Sequence, residues 1–166
     1  METNELYLKT AFCCMACDGD IADEEVMLIK HYSENNELFK DIPIEETINK
    51  YIDAINDNGA LFLKNFLNEL RIADLSKEQE MDIVRIAIEM IEAEDIIQYS
   101  EVKFFKKIRN LLSLTDDEIL AEFPDKEDYL LPDVISYDFD AFESITFNKI
   151  DFNILTSHEN KKKDSD

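Results

Sequence analysis

The chain has 166 residues, 45% of them apolar, and a formal net charge of −22 from 39 acidic and 17 basic side chains. Its apolar share argues against global disorder, and its length suits one domain with a real core. The charge argues against direct binding to nucleic-acid phosphates, which needs clustered lysine and arginine, and leaves cations or basic protein surfaces as partners.

Only two glycines and three prolines punctuate the chain, too few turn formers for a many-stranded sandwich or barrel. Helices joined by short loops are expected. Residues 6–17 are apolar nearly all round, which predicts a buried central helix. It should stop at Asp18-Gly19, because glycine just past a helix allows a left-handed cap. The next helix opens near Asp23, where Asp23, Glu24 and Glu25 meet the positive end of the helix dipole, and it turns Val26, Ile29 and Tyr32 to one side.

A polar connection over 33–41 leads to Pro43 and a helix over 44–58, with Ile44, Ile48, Ile52 and Ile55 in register. Gly59 is its expected terminator, and 61–73 repeats the pattern through Leu63, Phe66, Leu67 and Leu70. Ser76 and Gln79 form a capping box that opens a helix over 77–92, burying Met81, Val84, Ile88 and Ile91. Ser100 is the expected cap of a helix to Leu112 that buries Val102, Phe105 and Ile108. Thr115 and Glu118 make a second capping box and start a short helix ending before Pro124. The expected fold is therefore all-α, with seven helices over residues 1–123.

Beyond Pro124 the pattern changes. Residues 124–157 spread Tyr129, Tyr137, Phe139, Phe142, Phe147 and Phe152 among aspartates, and 150–154 alternates as a strand would. This C-terminal extension is expected to be irregular or partly β. It either folds back over the helices or adds a strand to a partner's sheet. The tail over 158–166, with Lys161-Lys162-Lys163, has the composition of a disordered segment.

One device occurs twice: an apolar helix, an acidic loop, and a glutamate opening the next helix. The first copy is Ala16-Cys17-Asp18-Gly19-Asp20-Ile21-Ala22-Asp23-Glu24-Glu25. The second is Glu92-Ala93-Glu94-Asp95-Ile96-Ile97-Gln98-Tyr99-Ser100-Glu101. Asp18 matches Glu94, Ile21 matches Ile97 and Glu25 matches Glu101, at a constant offset of 76 residues (94 minus 18). Such a repeat implies two helical hairpins related by a pseudo-two-fold axis. The first copy resembles the signature turn of the TerB-like, tellurite-resistance family, and the second sits where that family carries its second turn. The resemblance covers residues 6–123. It departs in the second copy, where Asp95 stands in place of the preferred glycine and Glu94 in place of the preferred aspartate. It implies a seven-helix bundle and a bacterial stress-response setting, with resistance to tellurite and related insults and links to phage resistance and metal-sensing complexes near the inner membrane.

Read from the residues, Asp18, Asp20, Glu25, Glu94, Asp95 and Glu101 are the candidate metal ligands, with Asp23 close by. Carboxylates brought together repel unless they are protonated or bridged by a cation. Calcium, magnesium or manganese suits such an all-oxygen set, and zinc suits it less. The competing reading is structural: Asp18 caps a chain reversal, Glu25 satisfies backbone donors at a helix start, and no metal binds. The loop is not an EF-hand, because twelve residues counted from Asp18 end on Ile29.

Cys14 and Cys17 satisfy C-x-x-C, but within an apolar helix they suit core packing, and a zinc site would have only His31 to add. Two histidines and the absence of a nucleophile elbow, phosphate loop or H-E-x-x-H helix point away from an enzyme. No opening secretory signal and no run near the roughly 20 apolar residues of a membrane span are evident. A soluble, cytoplasmic protein is expected, without membrane insertion, though peripheral association stays open. Two functional readings result. One is a non-enzymatic module whose acidic turns bind a divalent cation or a basic partner. The other is an acidic interaction module, a cap over a basic protein or a mimic of nucleic acid, without metal.

Overall fold

The computed structural model describes residues 2–94 and 96–131, and every regular element among them is helical. In order these are α1 (Thr3–Ala16), α2 (Asp23–Glu34), a 3-10 turn (Glu37–Phe39), α3 (Ile44–Asp57), α4 (Gly59–Ile72), α5 (Lys77–Ile91), α6 (Tyr99–Asn110), α7 (Asp116–Glu122) and α8 (Glu127–Leu130). The seven helices expected from the sequence are α1 to α7. The short α8 falls in the stretch expected to be irregular or partly β. The alternating pattern over 150–154 and the tail over 158–166 lie outside the described residues.

A helix that is apolar on every side must be surrounded, and α1 is. It packs most extensively along α5 and also touches α2, α3, α4, α6 and the 3-10 turn. Leu8, Ala11, Phe12 and Cys13 lose all contact with solvent. The Phe12 ring centroid lies 5.5 Å from that of Tyr51 on α3 and 5.8 Å from that of Phe62 on α4. Phe66 of α4 stacks on Phe104 of α6 at 6.1 Å, closing the far side of the core. Burying side chains of this size supplies the main drive to fold.

Local chemistry sets the helix ends. Ser76 Oγ accepts from the Gln79 N–H at 3.1 Å, while Gln79 Oε1 accepts from the Ser76 N–H at 2.9 Å. Thr115 and Glu118 repeat this arrangement at 3.1 and 2.9 Å. Two expectations change. Gly59 opens α4 instead of closing α3, because the Asn58 side chain accepts from the Leu61 N–H at 3.1 Å and caps the new helix. Ser100 lies inside α6, whose N-cap is Gln98. Within the polar connection, Phe39 is buried and meets Tyr32 at 5.6 Å, and Asp41 takes a left-handed turn with φ of 71°. At the other end, α8 folds onto α6, with Phe105 and Tyr129 rings 5.6 Å apart.

Candidate functional site

The two matched loops end alike. Shifting α2 (Asp23–Glu34) by the offset of 76 residues gives the bounds of α6 (Tyr99–Asn110). At the start of α2, Glu25 Oε1 accepts from the Ala22 N–H at 3.4 Å; at the start of α6, Glu101 Oε1 accepts from the Gln98 N–H at 3.2 Å. In both cases the third residue of the helix reaches back to the N-cap and satisfies a donor that the helix leaves unpaired.

The first loop is tightly wound. Gly19 has φ of 87°, a left-handed value that glycine tolerates without steric cost, and its N–H donates to the Ala16 carbonyl at 3.0 Å. Asp18 Oδ1 accepts from the Asp20 N–H at 3.0 Å, and Ile21 drops into the core at 6% exposure. The second loop starts from a three-residue bond of the same kind, with the Ala93 N–H donating to the Met90 carbonyl at 3.3 Å, but two positions earlier than the offset of 76 would place it. It then diverges: Ile97, the counterpart of Ile21, is 44% exposed. Asp95 lies outside the described residues.

Packing of α1 against α5 and α6 brings the loops together. The Cys17 Sγ at the end of α1 lies 3.8 Å from the Ser100 carbonyl oxygen at the start of α6. Four of the expected site residues then share one electrostatic field. Glu25 is pushed up to about 7, first by burial and then by the charges of Glu94, Asp18 and Glu101. Glu101 is likewise pushed up to about 7 by burial, with Glu94 and Asp18 adding to it against the Gln98 N–H, which favours the charged form. Asp18 is raised by burial and by the neighbouring Asp20. By solvent exposure the set has two layers, with the buried Glu101 and the half-buried Glu25 inside and the exposed Asp18, Asp20 and Glu94 outside, although surrounding protein atoms still partly desolvate Asp18.

No ion pair among the described residues involves any of these five carboxylates. Nor do three or more His, Cys, Asp or Glu side chains among the described residues already stand in an arrangement able to hold a metal ion. The carboxylates are neighbours in charge, not a closed coordination shell.

Cys13, Cys14 and Cys17 are all buried and unbridged, and burial raises every one of the three thiols. Cys17 Sγ donates to the Cys14 carbonyl at 3.3 Å within the helix. His31 is exposed on α2, with its Nδ1 3.3 Å from Asn35 Nδ2. This suits thiols used as small core residues.

Two buried charges escaped the sequence reading. Glu80 of α5 holds the loop between α6 and α7: its carboxylate accepts from the Ser113 N–H at 3.1 Å, the Ser113 hydroxyl at 2.9 Å and the Leu114 N–H at 3.2 Å. Lys9 of α1 donates to both Glu69 oxygens at 2.9 and 3.0 Å, and its ammonium lies 5.0 Å from the centre of the Phe62 ring. The only sequence signal was a charge at a core-facing position of an apolar helix. No described helix is long and apolar enough to cross a membrane.

No family model matches the chain, and no curated protein or solved structure matches it either.

Proposed function

We propose that this chain is a non-enzymatic module whose two acidic helix turns together hold a divalent cation. The observation behind this reading is the convergence of Asp18, Glu25, Glu94 and Glu101 into one field with no lysine or arginine paired to any of them among the described residues. A divalent cation relieves that repulsion more effectively than scattered monovalent counterions, and hard oxygen ligands favour calcium, magnesium or manganese. Glu25 and Glu101 each use one oxygen on a backbone N–H and keep the other for the ion, while Asp18 and Glu94 close over it from the outer layer. Asp20 and Asp95 are further ligands in this reading. The TerB-like resemblance of the first turn supports a bacterial stress-response role, with tellurite-type insults as its setting.

Thermal unfolding tests it. Calcium, magnesium or manganese should raise the melting temperature above that in sodium chloride of equal ionic strength, and Glu25→Gln should remove the gain. Equal curves in divalent and monovalent salt would rule the cation out.

A second reading has its own support. Because the carboxylates do not form a ready shell, and Ile96 is 71% exposed beside them, the same face suits a basic partner that brings positive and apolar groups together. In that case the module is an acidic protein-interaction surface, a cap over a basic protein or a nucleic-acid mimic. Salt-sensitive capture of a basic protein, with no cation effect, would favour it.

A further inference from the structure

In so acidic a chain, α6 is an exception. It carries Lys103, Lys106, Lys107 and Arg109 within seven positions, and its one acidic residue, Glu101, is buried. Tyr99, Lys103, Lys106 and Asn110 follow helical spacing and form one stripe along the helix. Tyr99 and Asn110 are exposed, both lysines are partly so, and Lys103 Nζ lies 5.9 Å from the centre of the Tyr99 ring. Lys126, by contrast, is engaged by Glu92 and Asp125, and Arg109 by Asp116. No ion pair among the described residues involves Lys103 or Lys106. Just ahead of the stripe, Ile96 and Ile97 are exposed. An apolar edge leading into a run of like charges is costly in water, and both costs fall when an acidic, aromatic segment covers it.

The chain itself contains such a segment. Residues 132–157 hold five acidic side chains (Asp133, Asp138, Asp140, Glu143 and Asp151) against one lysine, Lys149. Among them stand Tyr137, Phe139, Phe142, Phe147 and Phe152. The described chain leads to this segment from beside α6: α8 packs on that helix through Phe105 and Tyr129 and ends at Leu130, and Leu131, the last described residue, is 51% exposed. Reach is not limiting: a 12-residue helix is about 18 Å long, and roughly six extended residues cover that distance.

We propose that the basic stripe of α6, together with Ile96 and Ile97, is the docking surface for the chain's own C-terminal segment, residues 132–157. The carboxylates of Asp138, Asp140 and Glu143 meet Lys103 and Lys106, and the aromatic rings cover the two isoleucines. This is independent of the cation reading, since it uses the outward face of α6 and not the turn carboxylates.

Hydrogen exchange on the full chain, followed by mass spectrometry, tests the docking against a synthetic peptide of residues 132–157. Peptides from 134–152 should be protected in the chain relative to the free peptide, independently of protein concentration. Lys103→Glu with Lys106→Glu should lower that protection roughly tenfold, the size expected of two or three charge contacts. Asp138→Lys with Asp140→Lys, which changes no residue of α1 to α8, should do the same, and combining all four changes should restore protection. Exchange equal to that of the free peptide would overturn the proposal. So would protection that survives both reversals, which would put the segment elsewhere, or protection that grows with concentration, which would make a second copy the occupant.

Discussion

Among single side chains, Glu80 does the most unexpected work. One carboxylate satisfies two backbone donors and a hydroxyl in the loop from α6 to α7, and so ties α5 to both helices. Charge-assisted hydrogen bonds of this kind are individually worth about 1.5–3 kcal/mol, and removing the acceptor strands the donors. Glu80→Ala should therefore lower stability by about 2–4 kcal/mol in urea unfolding, with Glu80→Gln recovering part of the loss. A change below about 0.5 kcal/mol would mean that water replaces the carboxylate freely. Lys9 has a similar standing. Its stem lies in the core and its ammonium between Glu69 and two aromatic rings. Lys9→Ala should cost about 2–3 kcal/mol, discounted for the partial exposure of Glu69, whereas Lys9→Met should keep the packing and cost less. Neither role could be read from the sequence. Glu80 meets Ser113 across 33 positions, and only the packing of α5 against the α6–α7 loop brings them together.

Helices and their ends were legible where a residue's local chemistry decides the matter. Ser76 with Gln79 and Thr115 with Glu118 cap as their spacing requires, and Asp18-Gly19 reverses the chain through the left-handed glycine. Gly59 misled because its neighbour Asn58 supplies a better cap than glycine supplies a break. The matched glutamates were half legible. Their reach back to the N-cap follows from position, but their raised pKa depends on burial and on the other loop's charges, which only the packing of α1 against α5 and α6 brings together. That rise carries a signed consequence. A carboxyl that holds its proton to about 7 when folded, but releases it near 4.5 when unfolded, makes the folded state bind the extra proton between those values. Its stabilisation is complete below about 4.5 and is lost as pH rises through 7. Melting temperature should therefore fall from pH 5 to pH 8 in the native chain, and fall less when Glu25→Gln and Glu101→Gln are combined. An identical slope in the variant would show that these two groups do not titrate in that window.

Taken whole, the molecule is a helical body built around α1, with negative charge concentrated where α1 and α5 end and α2 and α6 begin. A cation bound there competes with protons for Glu25 and Glu101, so its affinity should rise between pH 6 and pH 8 and its binding should release protons. Calorimetry in buffers of different ionisation enthalpy reads that release. A pH-independent affinity would place the ion away from the inner glutamates.

The central claim is that both turns serve one site, and manganese tests it most directly. In an amide-resolved NMR spectrum, substoichiometric Mn²⁺ should broaden signals from residues 18–25 and 94–101 together, at the same added concentration, and Glu25→Gln should weaken both sets. Broadening confined to one turn, or spread evenly over the acidic surface, would contradict a shared site.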